Sequence, residues 1–448
     1  MGSDGRLFKN PMYRMMRLIL SRIKRKTLTF IRLLYNIASM NLNIGFIDSI
    51  EKWIDKENSK SLAFDCHPMA WYKTFVKECE VFNLDNRIRN RNEFRLFNEI
   101  KWCLSKEVKN YYIPNPFIVG QNAIVMSPDR QIFKQLTYPT SGRMWRHSDS
   151  LGKVIFPAAK EKVGWYTSLT CPTSYNYFHW MIECLPRLAA LEAYIQLFDG
   201  IIIPSNPKPF HLESLKALGI GADRLIEAHP KLHLKIEHLF ATNYSARDNP
   251  APWLHPWYKE KFIHPLNLKV KPGRRIYISR ADASVRNVSN FATVHAMVSS
   301  LGFEVLTLSN LSFIEQATLF YESDVIVAEH GASLANLLFC RRGTKVIEIF
   351  SVHWIAPCFY AIAKSAGLEY HFYVAESEDI CSLVGERIAS AAINHTLDGF
   401  QSAKYTIDAD NLRREILDVI NTEIVVAETD IHPTTHSNSG RRENAINT

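Results

Sequence analysis

The sequence predicts an α/β protein built from two consecutive α/β units that face each other across a cleft, preceded by a basic amphipathic helix. Three observations predict it. From about residue 160, short β-branched runs alternate with helical stretches, as parallel βαβ units require. The pattern occurs twice, on either side of a Pro- and Trp-containing stretch from Asn249 to Pro272 that reads as a connection. The first 40 residues hold nine basic side chains and one acid, and so carry the whole formal net charge of +8. A chain of 448 residues that is 47% hydrophobic and 22% charged is globular rather than disordered or fibrous, and long enough for two or three domains. Because its basic excess sits on one arm, no nucleic-acid partner is expected.

On the arm, residues 1–44, Met12, Met16, Ile19, Ile23, Phe30, Leu34 and Ile37 recur near the helical period, while most Arg and Lys fall elsewhere around the helix. Such a helix, over residues 6–37, lies on an anionic membrane surface without crossing it. The longest uncharged stretch, Leu33 to Ile47, is interrupted by Asn and Ser and falls short of the ~20 apolar residues of a transmembrane helix. A signal peptide fits poorly, because the basic region is too long and the apolar region too broken. The eight cysteines form no C-x-x-C pair and read as reduced, mostly buried thiols. Together with a sequon at Asn287, inside a segment assigned below to anion binding, they place the protein in the cytoplasm, peripheral on the inner face of the membrane.

Residues 45–265 are expected to form the first domain, although the part before residue 150 gives no clear organisation. Within it, Val163 to Leu169 reads as a strand, about Tyr177 to Gln196 as one long helix, and Ile201 to Ile203 as a buried strand. The second domain is expected over residues 266–425. Here RIYIS (Arg275 to Ser279), Phe303 to Leu308, DVIVA (Asp324 to Ala328), KVIEIF (Lys345 to Phe350) and Leu368 to Val374 read as strands, and Phe291 to Leu301 and Ser312 to Tyr321 as helices. Ser312 and Glu315 have capping-box spacing. Residues 426–448 read as a disordered tail.

Three motifs carry chemistry. Asn176-Tyr-Phe-His179-Trp-Met-Ile-Glu183-Cys-Leu-Pro-Arg187 places His179 and Glu183 one helical turn apart, where an imidazole and a carboxylate can share a substrate proton. Arg280 and Arg286, with Asn290, leave the carboxyl end of RIYIS, where open α/β sheets bind ligands and guanidinium forks match phosphate oxygens. Glu329-His330-Gly331-Ala332-Ser333-Leu-Ala-Asn336 follows DVIVA as a glycine turn opening a helix, a setting that offers backbone N–H groups to an anion. Glu348, in KVIEIF, puts a second carboxylate near that edge. Taken singly, the motifs also fit a surface His–Glu contact, a solvated Asp282–Arg286 loop and a structural turn.

Together, in this order, the motifs resemble family 61 glycosyltransferases, the group that includes bacterial capsular-polysaccharide biosynthesis proteins, O-linked N-acetylglucosaminyl transferases and plant xylosyltransferases. The similarity covers about residues 150–425, including Tyr405-Thr-Ile-Asp408 with Leu412. It departs from the family pattern at Asn287, Phe291 and Ser333. The resemblance implies two Rossmann-like domains of GT-B type, inverting transfer from a nucleotide sugar, most readily a UDP-sugar, to a hydroxyl of a glycan or lipid-linked acceptor, and no obligatory metal or other cofactor. In that frame residues 45–265 are the acceptor side and 266–425 the nucleotide-sugar side. Glu183 is expected as general base with His179 orienting it, the reverse order being the near alternative. Arg280, Arg286, Asn290, Glu329, His330, Gly331, Ala332, Ser333, Asn336 and Glu348 are expected to bind the donor, and Asn176 and Arg187 to serve the acceptor or the fold. A nucleotide-sugar epimerase or hydrolase, and a non-catalytic polysaccharide-assembly factor, are the competing functions.

Overall fold

The computed structural model describes residues 46–61, 70–77, 79–82, 103–105, 107–136, 157–244, 250–283, 286–351, 355–375 and 404–421. The expected basic arm and the expected disordered tail lie outside the described residues.

Sequence periodicity explains the second unit most directly. Its five parallel strands run in the spatial order Glu304–Leu306, Arg275–Ile278, Val325–Glu329, Lys345–Ser351, Glu369–Ala375. Along them Ile276, Ile278, Ile326, Ala328 and Val346 point into one apolar cluster, while Tyr277, Val325, Val327, Ile347 and Ile349 point into another. Alternate residues therefore bury on opposite faces, and the strands read as unbroken apolar runs. Helices Phe291–Ser300 and Ala409–Asn421 cover the second face, the latter through Leu412, Ile416 and Val419. The other face belongs to a core shared with the first unit, which includes Trp180, Leu188, Tyr258, Phe313 and Phe339. The capping box forms as expected: Ser312 N donates to Glu315 Oε2 at 2.8 Å and Ser312 Oγ accepts from Glu315 N.

The first unit holds a ten-stranded mixed sheet. Strands His233–Thr242, Lys160–Ser168, Gly200–Ile203 and Leu225–Glu227 are parallel and form its α/β part. Strands Trp71–Val76, Val108–Pro114, Phe117–Val119, Ile124–Met126 and Ile132–Phe133 extend the sheet through antiparallel pairings. Val108–Pro114 and Phe117–Val119 pair in succession with the single strand His233–Thr242, and the chain kinks between them at Asn115, with φ of 52°. The described residues from 107 to 136, which gave no clear organisation in sequence, are thus short strands broken by Pro114 and Pro116.

One expectation is corrected. The single helix over Tyr177 to Gln196 is four short pieces, Tyr177–His179, a π-helical Trp180–Cys184, Arg187–Ala190 and a 3₁₀ turn Glu192–Leu197. Pro186 supplies the reason: it has no N–H to donate, and its ring crowds the carbonyl four residues back, that of Ile182. The freed carbonyls find side-chain donors instead. Tyr258 Oη donates to Met181 O at 2.5 Å, Tyr244 Oη to Ile182 O at 2.6 Å, and Arg187 Nε to Glu183 O at 3.1 Å. In the stretch read as a connection, helical turns bury Leu254, Trp257, Tyr258, Phe262 and Ile263 in the shared core.

Candidate functional site

The site grows from two strand ends. In the second sheet the chain order places Arg275–Ile278 beside Val325–Glu329, with the connection between them running out to opposite sides. This is a topological switch point, and ligands of open parallel sheets bind outside the carboxyl ends of the strands at such a crevice. Arg280 follows the first strand and His330-Gly331 the second.

Arg280 lies directly over Gly331. A Cβ on that glycine would stand 2.0 Å from Arg280 Nη1 and 3.1 Å from its Cζ. Gly331 is extended, with φ of −178°, so the residue is required for space rather than for backbone freedom. Arg286 sits in the left-handed region at φ of 58°, an uncommon conformation for a non-glycine residue. Its guanidinium is pushed below its ordinary value by burial and then by the charge of Arg280. Glu329 is buried, and Arg280 draws its carboxyl down against that burial. Tyr277 Oη donates to its Oε1 at 3.0 Å, and burial raises its carboxyl above the ordinary range. Tyr405 completes the group, its phenol pushed up by burial and by Glu329 and drawn down by both arginines. A cavity of about 220 Å³ opens alongside, lined by residues including Ser279, Asn287, Ser289, Glu329 and Lys404.

Several expected donor ligands have their polar atoms engaged by the protein. Asn290 Nδ2 donates to Ile407 O at 2.8 Å and its Oδ1 accepts from Ile407 N at 3.1 Å, which ties the segment around Tyr405 to the arginine loop. Asn336 is wholly buried, accepts from Tyr177 Oη at 2.6 Å and donates to Gln316 at 3.1 Å. Glu348 is also wholly buried, with one carboxylate oxygen on His330 Nδ1 and the other on Tyr370 Oη. It therefore holds the His330 ring. Ala332 and Ser333 stay partly exposed and open a 3₁₀ helix, Ala332–Phe339, where an α-helix was expected. Asp408 caps the last described helix by accepting from Asp410 N and Asn411 N, both at 3.0 Å.

The first unit brings its own pair to the same crevice. Asn176 caps the broken helix by accepting from Phe178 N at 2.9 Å, and Arg187 pins it with donors to Ser168 O and Thr170 O. Both residues thus serve the fold. His179 Nδ1 lies 3.2 Å from Glu183 Oε2. The Glu183 side chain is fully buried, with Thr173 Oγ1 3.5 Å and Cys171 Sγ 3.9 Å from Oε2 and no hydrogen-bond partner for Oε1 among the described residues. His179 keeps 22% of its side chain exposed. A ladder of rings joins the motifs: Phe178 packs edge-on against Phe359 at 5.3 Å, and Phe359 against His330 at 5.3 Å. With the Tyr177–Asn336 bond, the His–Glu motif and the glycine-turn motif are held face to face.

Sequence reasoning missed Tyr277, Tyr370, Thr173 and Cys171. Only Tyr277 left a signal, as the one polar-tipped side chain inside an otherwise apolar strand.

The strand ends that carry Arg280 and His330-Gly331 and the turn that carries His179 and Glu183 are thus joined through shared packing. Residues 177–347, which span the His–Glu pair, both arginines and the glycine turn, match the model of the glycosyltransferase 61 family. A β-1,2-xylosyltransferase of Oryza sativa subsp. japonica is 33% identical over 252 residues, covering 50% of this chain and 43% of that protein. A β-1,2-xylosyltransferase of Arabidopsis thaliana is 38% identical over 64 residues, 14% of this chain and 12% of its own length. An EGF domain-specific O-linked N-acetylglucosamine transferase of Xenopus laevis is 26% identical over 122 residues, covering 25% and 23%. The chain spans less than half the length of each of these relatives.

Proposed function

We propose that the protein is an inverting glycosyltransferase that moves a sugar from a nucleotide-sugar donor to a hydroxyl of a glycan or protein acceptor, its two units closing on the substrates in a GT-B-like arrangement. One observation carries this reading: Arg280 lies over a glycine with no room for a side chain, at the switch point of a parallel sheet, with the half-buried Arg286 following on the same loop. Cationic side chains at such a strand end favour an anionic ligand. A pyrophosphate fits their fork geometry and the exposed start of the Ala332–Phe339 turn. As the sugar departs, these groups stabilise the leaving nucleoside diphosphate.

Across the crevice, the burial gradient orders the acid–base pair. Glu183 is fully enclosed and His179 is the member with exposed surface. We therefore assign the acceptor proton to His179 and the orienting role to Glu183, the reverse of the order expected first from the sequence. A buried carboxylate behind an imidazole fixes its tautomer and stabilises the imidazolium that forms. A UDP-sugar donor, a lipid-linked acceptor and a capsular-polysaccharide product rest on the sequence resemblance alone. The relatives include β-1,2-xylosyltransferases and an EGF domain-specific O-linked N-acetylglucosamine transferase.

A thermal-shift screen of nucleoside diphosphates and nucleotide sugars tests the donor site, since a ligand in excess over its dissociation constant raises the apparent melting temperature. Arg280→Ala should weaken the best ligand by roughly 10- to 100-fold, the loss of one charge-assisted contact of about 1.5–3 kcal/mol. Unchanged affinity would remove the anion site from the mechanism.

We also propose that residues 6–37 hold the enzyme on the cytoplasmic face of an anionic membrane. No helix among the described residues is long and apolar enough to cross one. The protein should sediment with membranes at low salt and be released by high salt. A soluble protein at low salt would end this assignment.

A further inference from the structure

Four free cysteines lie among the described residues, and two of them meet beside the acid–base pair. Cys171 Sγ and Cys184 Sγ are 3.5 Å apart. Cys184 is the last residue of the π-helical turn that carries Glu183, and Cys171 lies just past strand Lys160–Ser168. Arg187 ties the two segments together, bonding Glu183 O on one and Ser168 O and Thr170 O on the other. The sulfurs are thus held as neighbours rather than meeting by chance.

We propose that Cys171 and Cys184 are a modification site: a hydroperoxide converts them to a disulfide, and that cross-link switches off the neighbouring His179–Glu183 pair. Cys171 reacts first. It retains 4% exposure against none for Cys184, and its thiol is held below the ordinary range by the hydrogen bond from Cys184, assisted against burial by the charge of Arg187. The Cys171 thiolate attacks one peroxide oxygen, so an S–O bond forms, the O–O bond breaks and hydroxide leaves, taking up the proton that Cys171 had released. The Cys184 sulfur then attacks the sulfenic sulfur. An S–S bond forms, the S–O bond breaks, and the Cys184 proton departs with the oxygen as a second water. Two thiols and one peroxide give one disulfide and two waters, with two electrons passing from sulfur to oxygen.

Closing the pair from 3.5 Å to about 2.05 Å draws the end of the π turn toward the loop and removes the Cys171 thiol that lies 3.9 Å from Glu183 Oε2. Glu183 is the adjacent residue, so its carboxylate shifts relative to His179. The cross-link stands independently of the proposed activity, whereas its effect on turnover rests on that reading.

Both cysteines fall in one tryptic peptide, residues 163–187. The full-length reduced protein is treated with hydrogen peroxide, denatured, alkylated and digested without reduction. The peptide is expected to carry no alkyl group and to be two hydrogens lighter than its dithiol form, while transfer falls by roughly tenfold or more and returns with dithiothreitol. Cys184→Ala should retain transfer when reduced and form no disulfide within this peptide on peroxide treatment. If that variant fails to fold, the wild-type peptide and the dithiothreitol recovery decide. A doubly alkylated peptide after oxidation overturns the proposal, and so does a cross-link that leaves turnover unchanged. If transfer is undetectable in reduced and oxidised protein alike, the transferase reading fails while the peptide still reports the cross-link.

Discussion

Replacing His179 with alanine is expected to lower sugar transfer by roughly 10²- to 10⁴-fold, the usual contribution of a positioned general base, while donor affinity stays within about twofold. The argument rests on where the two members of the pair sit. Glu183 is fully buried among Thr173, Cys171 and the π-helical backbone, so of the pair His179 is the member with surface to offer an acceptor hydroxyl. Glu183→Gln keeps the shape and some hydrogen bonding but removes the charge behind the imidazole, and a loss of the same order is expected from it. Because the two groups act as a unit, the double variant should be no worse than the poorer single one. Added imidazole separates the roles: it should restore part of the transfer in His179→Ala and none in Glu183→Gln. The acidic limb of the pH–rate profile should belong to an imidazole. If His179→Ala keeps near-normal turnover with a carboxylate limb, Glu183 is the base after all.

The second unit was legible because its strands are buried on both faces. RIYIS, DVIVA and KVIEIF are short runs rich in Ile and Val, and the structure pairs Ile276, Ile326 and Val346 in adjacent register. Between residues 107 and 136 short antiparallel strands interrupted by Pro114 and Pro116 have too few residues each to show a period. The three motifs were found because strand ends and glycine turns are local features. Their polar neighbours were harder to assign, since a side chain near a strand end looks alike whether it meets a ligand or the protein. Asn290 turned out to bond a backbone segment 117 residues away, and Asn336 a tyrosine 159 residues away. Glu183 is another such case, because its spacing to His179 is visible in sequence but its enclosure depends on Tyr244, Arg187 and the break that Pro186 imposes. Nothing in a spacing of 13 residues announces that Cys171 and Cys184 touch.

Gly331→Ala should weaken nucleoside diphosphate binding about as much as Arg280→Ala, by roughly 10- to 100-fold, with little change in folding stability. The backbone at Gly331 is extended and accepts any residue, so alanine introduces no conformational strain. What it introduces is a methyl group 2.0 Å from Arg280 Nη1, too close for the guanidinium to stay. The arginine side chain is the flexible partner and moves first, and its charge leaves the place proposed for the pyrophosphate. Isothermal titration of wild type, both single variants and the double variant forms a cycle. If glycine acts only through Arg280, the two effects are non-additive, and Gly331→Ala costs almost nothing once Arg280 is already alanine. Additive losses would mean that Gly331 serves the ligand directly, through its own backbone approach. Wild-type affinity in Gly331→Ala would show that Arg280 needs no fixed seat over the glycine, and the anion site would have to be rebuilt around Arg286.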